Sequence, residues 1–180
     1  MLLSVIFIAI NACENDLDKV KLYEKGTAGP VESAKNIKIL YSDSGAVKVE
    51  ITAPVLDRYD SERPYTEMPK GVKAIFYNDR MEVTSRLSAN YAIRYDRDLK
   101  LEARKNVVVV NERGEQLTTE HLIWDERRQM LNSDEFVKIT TKDEIIYGNG
   151  FEANQDFSQY RIFNIKGIIS VNAEENAKDS

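Results

Sequence analysis

From Ile37 onward the chain alternates apolar and polar residues with a period of two. Val47-Lys48-Val49-Glu50-Ile51-Thr52-Ala53 alternates throughout, the pattern of a strand with one face buried. Val72–Phe76, Met81–Thr84, Leu99–Ala103 and Val137–Thr140 read the same way. Asn106–Val110 is a continuous valine run, which predicts a strand covered on both faces. Helical spacing is scarce. The apolar residues of Leu117–Met130 cluster at 122–124 instead of recurring every three or four, and a short turn at 57–63 is the only helical element expected. Polar turn sequences separate the strands: Asp43-Ser44-Gly45, Asn78-Asp79-Arg80, Asp96-Arg97-Asp98, Asn111–Gly114 and Asp125–Arg128. Pro54, Pro64 and Pro69 mark one long connection at 54–71.

The strands recur as a unit. Tyr95-Asp96 is followed by Leu101 and Val107, and Trp124-Asp125 by Leu131 and Val137, with Tyr59-Asp60 and Gln155-Asp156 as weaker copies. Each unit is a strand, a tight turn opened by Asp, and a return strand. A lone hairpin cannot bury its apolar face, so successive units must stack or wrap. The expected fold is all-β: an antiparallel β-jellyroll or open β-roll built from repeated hairpins, with edge strands at both ends.

The first residues change the picture. Met1–Ala12 is an apolar run too short to span a bilayer, and it ends at the only cysteine, Cys13, where the chain turns polar. A small residue followed by Cys resembles a bacterial lipoprotein signal, whose thiol takes a lipid that holds the mature end at a membrane. The division expected is a signal segment at 1–12, a tether at 13–35, the folded domain at 36–171 and a polar tail at 172–180. The mature chain would begin at Cys13, outside the cytoplasm.

Composition then removes function classes. The 180 residues contain one Cys and one His, so an internal disulfide, a cysteine-rich zinc site and a His-pair metal motif are excluded. A net charge of -5 argues against nucleic acid as the main partner. Gly148-Asn149-Gly150-Phe151-Glu152-Ala153 fits a dinucleotide fingerprint, but turn and strand residues follow where a helix would be needed, so it reads as a bulge in a strand. His121 has no activated nucleophile to serve. Asp96, Asp125 and Asp156 recur at equivalent repeat positions, as turn residues do, and not as paired catalytic carboxylates. Arg127-Arg128 reads as a solvated turn at least as well as a phosphate site. No catalytic residue, metal or cofactor is expected.

Trp124, Tyr91, Tyr95, Phe76 and Phe136 are the large side chains assigned to inner faces, where they form either a closed core or the wall of a groove for acyl chains. The groove lining expected is Val49, Ile51, Phe76, Tyr91, Ile93, Leu101, Val109, Trp124, Val137 and Ile139. Two stretches are expected as edges open to partner strands: Ile37, Ile39 and Tyr41 at the start, and Ile162, Phe163 and Ile165 within a last strand at Tyr160–Gly167.

Several stretches together resemble the LptC-related family of lipopolysaccharide export proteins. They are Tyr41–Gly45 with the alternating strand to Ala53 and Leu56-Asp57-Arg58-Tyr59; Gly71–Phe76; Leu117–Asp125 continuing to Ser133 and Val137; and Gly148–Ala153. The resemblance covers about residues 37–168. It implies a periplasmic jellyroll without a catalytic site, which receives lipopolysaccharide from an inner-membrane ABC transporter and passes it to a periplasmic LptA-like bridge protein of the same fold. The family usually has an N-terminal membrane helix, which a lipid on Cys13 would replace here. The alternative is an anchored structural or adhesion β-sandwich lipoprotein with no lipid-carrying groove.

Overall fold

The computed structural model describes residues 29–171. The signal segment, Cys13, most of the tether and the polar tail lie outside the described residues. Within them there are twelve antiparallel strands in one hydrogen-bonded sheet, and no helix. In chain order these are β1 (Glu32–Asp43), β2 (Ala46–Tyr59), β3 (Tyr65–Met68), β4 (Val72–Tyr77), β5 (Val83–Ala89), β6 (Tyr91–Tyr95), β7 (Lys100–Asn111), β8 (Gln116–Asp125), β9 (Met130–Thr140), β10 (Glu144–Asn154), β11 (Tyr160–Ile162) and β12 (Ile165–Ser170). The all-β roll of hairpins is therefore the observed fold.

The sheet is folded along one line. β1, β2, β7, β8, β9 and β10 are long, and each is interrupted near its middle. Asn36 (φ 52°) stands opposite Pro54. Pairing of β7 with β8 slips between Arg104 and Val107, where Lys105 (φ 65°) and Asn106 (φ 53°) are left-handed. It slips again between Thr119 and Ile123 of β8, and between Asn149 and Phe151 of β10. Bulges bend a strand and sharpen its twist, so a row of them makes a corner. Beyond it each long strand runs into a second layer. The first layer orders the strands β1-β2-β4-β5-β7-β8-β9-β10-β12, and the second β1-β2-β3-β6-β7-β8-β9-β10-β11.

Buried polar side chains repair the hydrogen bonds broken at the corner. The Thr119 hydroxyl donates to the Phe136 carbonyl (2.9 Å), and the Ser133 hydroxyl to the His121 carbonyl (2.8 Å). The Gly148–Ala153 motif is the β10 bulge, with strand on both sides of it. The aspartates of the repeat all fall in, or immediately before, the turns that end the second layer. Asp125 accepts from the Arg128 N–H (3.0 Å) and Asp156 from the Ser158 N–H (2.9 Å), as turn residues do.

Four expectations are corrected. Residues 57–63 contain no helical turn, because Asp57–Tyr59 continue β2 in register with β3. The valine run is not covered on both faces: Val107 and Val109 are buried, while Val108 and Val110 are half-exposed. Met81 belongs to a turn (φ 62°), and β5 begins at Val83. The last strand is not continuous over 160–167. Asn164 (φ 45°) carries it round the corner and splits it into β11 and β12. In addition, β1 starts at Glu32, inside the stretch read as tether.

Gly148 holds that last corner. A Cβ there would stand 2.4 Å from Ile162 Cγ2 and 2.7 Å from the Phe163 carbonyl oxygen. Gly148→Ala is expected to cost about 1–3 kcal/mol through overpacking. The loss of amide-exchange protection should be confined to β11 and β12, and protection unchanged there would show that the corner yields without strain.

Candidate functional site

The space between the two layers is where the apolar side chains converge. Val49, Ile51, Phe76, Leu101, Val109, Trp124, Val137 and Ile139 all belong to one buried cluster, joined by Met68, Leu87, Leu117, Leu122, Leu131 and Phe151. Strand alternation puts them there: the inward positions of β7 read Leu101, Ala103, Val107 and Val109, with polar residues between. Ile37, Ile39 and Tyr41 of β1, and Tyr160 and Ile162 at the other end, pack partly buried against the same cluster.

Tyr91 and Ile93 are not part of it. Their neighbour Ala92 is the residue of β6 that faces inward, paired with Ala103, so Tyr91 and Ile93 lie on the outer face. There the Tyr91 hydroxyl donates to Glu67 Oε1 (2.9 Å), and burial and then Glu67 push its pKa up. Ile93 is buried on that face between Glu67 and Glu102 of the flanking strands. Phe136, expected inside, is 52% exposed and stacks on Tyr147, because the β9 bulge turns it outward. Phe163 and Ile165 are exposed as well, so what the last strands offer a partner is backbone and apolar surface together.

The interior has a mouth on the side away from the corner, between the two rows of turns. A cavity of about 390 Å³ lies there, floored by Phe76. Asp43, Lys48 and Asp79 of the first layer line one rim, and Gln129, Asn154 and Gln155 of the second line the other. Lys48 and Asp79 form an ion pair that lowers the pKa of Asp79.

Two sets of contacts bridge the layers on either side of this mouth. Toward β1, the Tyr41 ring lies 5.6 Å from the Arg94 guanidinium and meets Trp124 edge-on at 6.1 Å. Trp124 meets Phe76 at 5.4 Å. Arg94 forms a forked pair with Glu126 (2.7 and 3.1 Å) and also bonds Asp96 (2.5 Å). The bond to Glu126, outweighing burial, holds the guanidinium proton more tightly than usual, while burial raises the Tyr41 phenol despite Arg94. Toward β11, Phe157 is buried in the turn after β10. Its carbonyl accepts from Asn111 Nδ2 (3.0 Å), and the Ser85 hydroxyl donates to the Gln155 carbonyl (3.0 Å).

Trp124 is 5% exposed, yet its indole N–H meets no acceptor among the described residues. A buried donor left unpaired costs about 1–3 kcal/mol. The sequence marks Trp124 as large and apolar, but nothing in it reveals the Tyr41–Arg94 contact, which depends on the second layer folding over the first. His121 stands at the corner, 3.4 Å from Glu102 Oε2 and 3.7 Å from Asp134 Oδ1, and these carboxylates are its ring's partners among the described residues. Arg127 and Arg128 are exposed in their turn.

A bent two-layer antiparallel sheet with a lateral mouth and unpaired end strands defines a jellyroll of the open-roll kind. The chain matches the family model described as lipopolysaccharide-assembly, LptC-related, over residues 1–169, and it belongs to that family. The family acts in lipopolysaccharide transport in the periplasm, in association with the inner membrane, and is not a known enzyme family. Comparison with individually curated proteins gives no match.

Arg94→Met keeps the aliphatic stem but leaves Glu126 half-buried without its partner. Stability should fall by about 2 kcal/mol, a drop in Tm of roughly 5 °C for a chain this size. The fluorescence of Trp124, the one tryptophan in the sequence, should shift to the red as Tyr41 loosens. An unchanged emission would show that Arg94 does not hold the mouth.

Proposed function

We propose that this protein carries lipopolysaccharide by taking the lipid A acyl chains between its two layers. It receives the lipid from an inner-membrane ABC transporter and hands it to a periplasmic LptA-like bridge protein. Lipid attached at Cys13 would hold it at the membrane. The observation that carries this reading is the apolar cluster reaching the mouth at Phe76, in a member of a lipopolysaccharide-assembly family. Apolar burial is non-directional and scales with area, so acyl chains can replace the facing layer as a partner for these side chains.

The layers are in contact as they stand. Val107, Val109, Leu117, Leu122, Leu131, Val137 and Ile139 are all at 0% exposure. Taking up acyl chains therefore requires the layers to part, with the Tyr41–Arg94–Glu126 bridge and the Phe157 turn giving way first. The same dry interior is the observation that favours the second reading, a closed structural β-sandwich. Photo-crosslinking side chains at Leu101, Val109 and Val137 separate the two. Lipopolysaccharide adducts at these sites, with none at Ile93 on the outer face, are expected from a carrier. No adducts at any of the four would leave the structural reading.

The two end strands support hand-over by strand addition. Among the described residues β1 pairs only with β2, and β12 only with β10, so each leaves one row of backbone groups without a partner there. Val171 donates its N–H to Asp143 (2.7 Å), in register with the β12–β10 pairs. Alternation along an antiparallel ladder then points the N–H of Ile168 and Ser170 outward. Proline at Phe163 would break the sheet, since that N–H bonds Gly150 (3.0 Å). Ile168→Pro instead removes an outward donor. It should leave Tm within about 2 °C and abolish co-purification of the bridge protein; retained binding would move the contact elsewhere.

A further inference from the structure

Between β2 and β7 the sheet is split at the corner. β2 pairs with β4 up to Thr52 and with β3 from Asp57, and has no partner on that flank in between. On the far side, β5 and β6 meet β7 on either side of Lys105–Val107. The chain crosses the split only in two tight turns, at Lys70-Gly71 (φ 96° at Gly71) and at Asn90. A cavity of about 580 Å³ opens there, within the range of small-molecule sites of about 300–1,000 Å³.

Its walls differ in character. Ile37, Ala53, Val72 and Ala89 form an apolar floor, and the last three belong to the buried cluster between the layers. The rim carries Lys38, Lys70 and Lys73 with Asn36, Asn90 and Asn106, and among the described residues no carboxylate lines the cavity. Lys38 pairs with Glu50 (2.9 Å) just outside it, while Lys70 and Lys73 have no acidic partner among the described residues. In a chain of net charge -5 this is a local excess of positive charge.

We propose that this notch binds the phosphorylated head of an amphiphile. Lys70 and Lys73 meet the phosphate, the asparagine amides meet sugar or linker oxygens, and the proximal part of an acyl chain lies on the Ala53–Val72–Ala89 floor. The ammonium group of Lys is a compact point charge suited to phosphate. The apolar floor favours an amphiphile over free phosphate, because a phosphate ion alone would leave it wet. This deepens the transport reading and rests on it: the interior takes the acyl chains, and the corner reads the head.

The test uses the full chain in detergent micelles, titrated with lipid A, with lipid A stripped of its phosphates, and with glucosamine 1-phosphate. Each exposed charge pair contributes up to about fivefold in affinity, so the wild type should favour the phosphorylated lipid by about tenfold. K70Q/K73Q should erase that preference while still binding the stripped lipid, and the preference should weaken in high salt. Both lysines are exposed, so the variant should fold, with circular dichroism as the check. A preference that survives K70Q/K73Q overturns the site and leaves the transport reading standing. Glucosamine 1-phosphate competing as well as the lipid overturns the amphiphile in favour of a free phosphate site. Failure of both lipids to bind removes the site together with the transport reading.

Discussion

The structure depends on the corner at which the backbone ladder is interrupted. A flat sheet of these strands would bury neither face, and a smoothly coiled one would close into a barrel. Displacing one or two residues from the ladder at the middle of each long strand folds the sheet onto itself and sets its two inner faces against each other. The cost is local. Lys105, Asn106, Asn36 and Asn164 take left-handed backbone without being glycine, which asparagine tolerates better than most residues. Thr119 and Ser133 then supply donors for carbonyls that the bulges leave unpaired.

From the corner follow the mouth, the ends and the notch. Because the strands turn there, the hairpin turns fall on the opposite side, and those at Asp43, Asn78, Gln129 and Gln155 frame the opening floored by Phe76. Because β3, β4, β5 and β6 stop at the corner instead of crossing it, the sheet is split where Lys70 and Lys73 gather. The contacts across the mouth are of another kind: a ring against a guanidinium, itself held by a forked ion pair within the second layer, and two backbone carbonyls. Few in number, they hold layers whose greater attraction is apolar contact.

Much of the fold was legible in the chain. Period-two stretches such as Val47–Ala53 and Val72–Phe76 lie in strands, and Asp125 and Asp156 open turns. Eight of the ten residues expected to line a groove do share one cluster. The corner was harder to read, since a bulge shifts the inside–outside phase by one residue and a local pattern holds no memory of the shift. That is why Phe136 points outward. The signal was present as consecutive polar positions in mid-strand, three at Arg104-Lys105-Asn106 and two at Asp134-Glu135, all of them exposed. Tyr91 and Ile93 misled for another reason. Size suggested the interior, but on β6 the close approach of strands is met by Ala92, and the large residues are shielded outside by glutamates.

The pairing order bears on how such a sheet assembles. From β7 to β10 each strand bonds to the next in the chain across a turn of a few residues, so little loop entropy opposes each step. Around the split, β2 must find β4 past β3, and β5 must find β7 past β6, which closes longer loops. Loop-closure entropy therefore favours an early zipper of hairpins in the C-terminal half. The half that contains the notch then docks onto a template already in place.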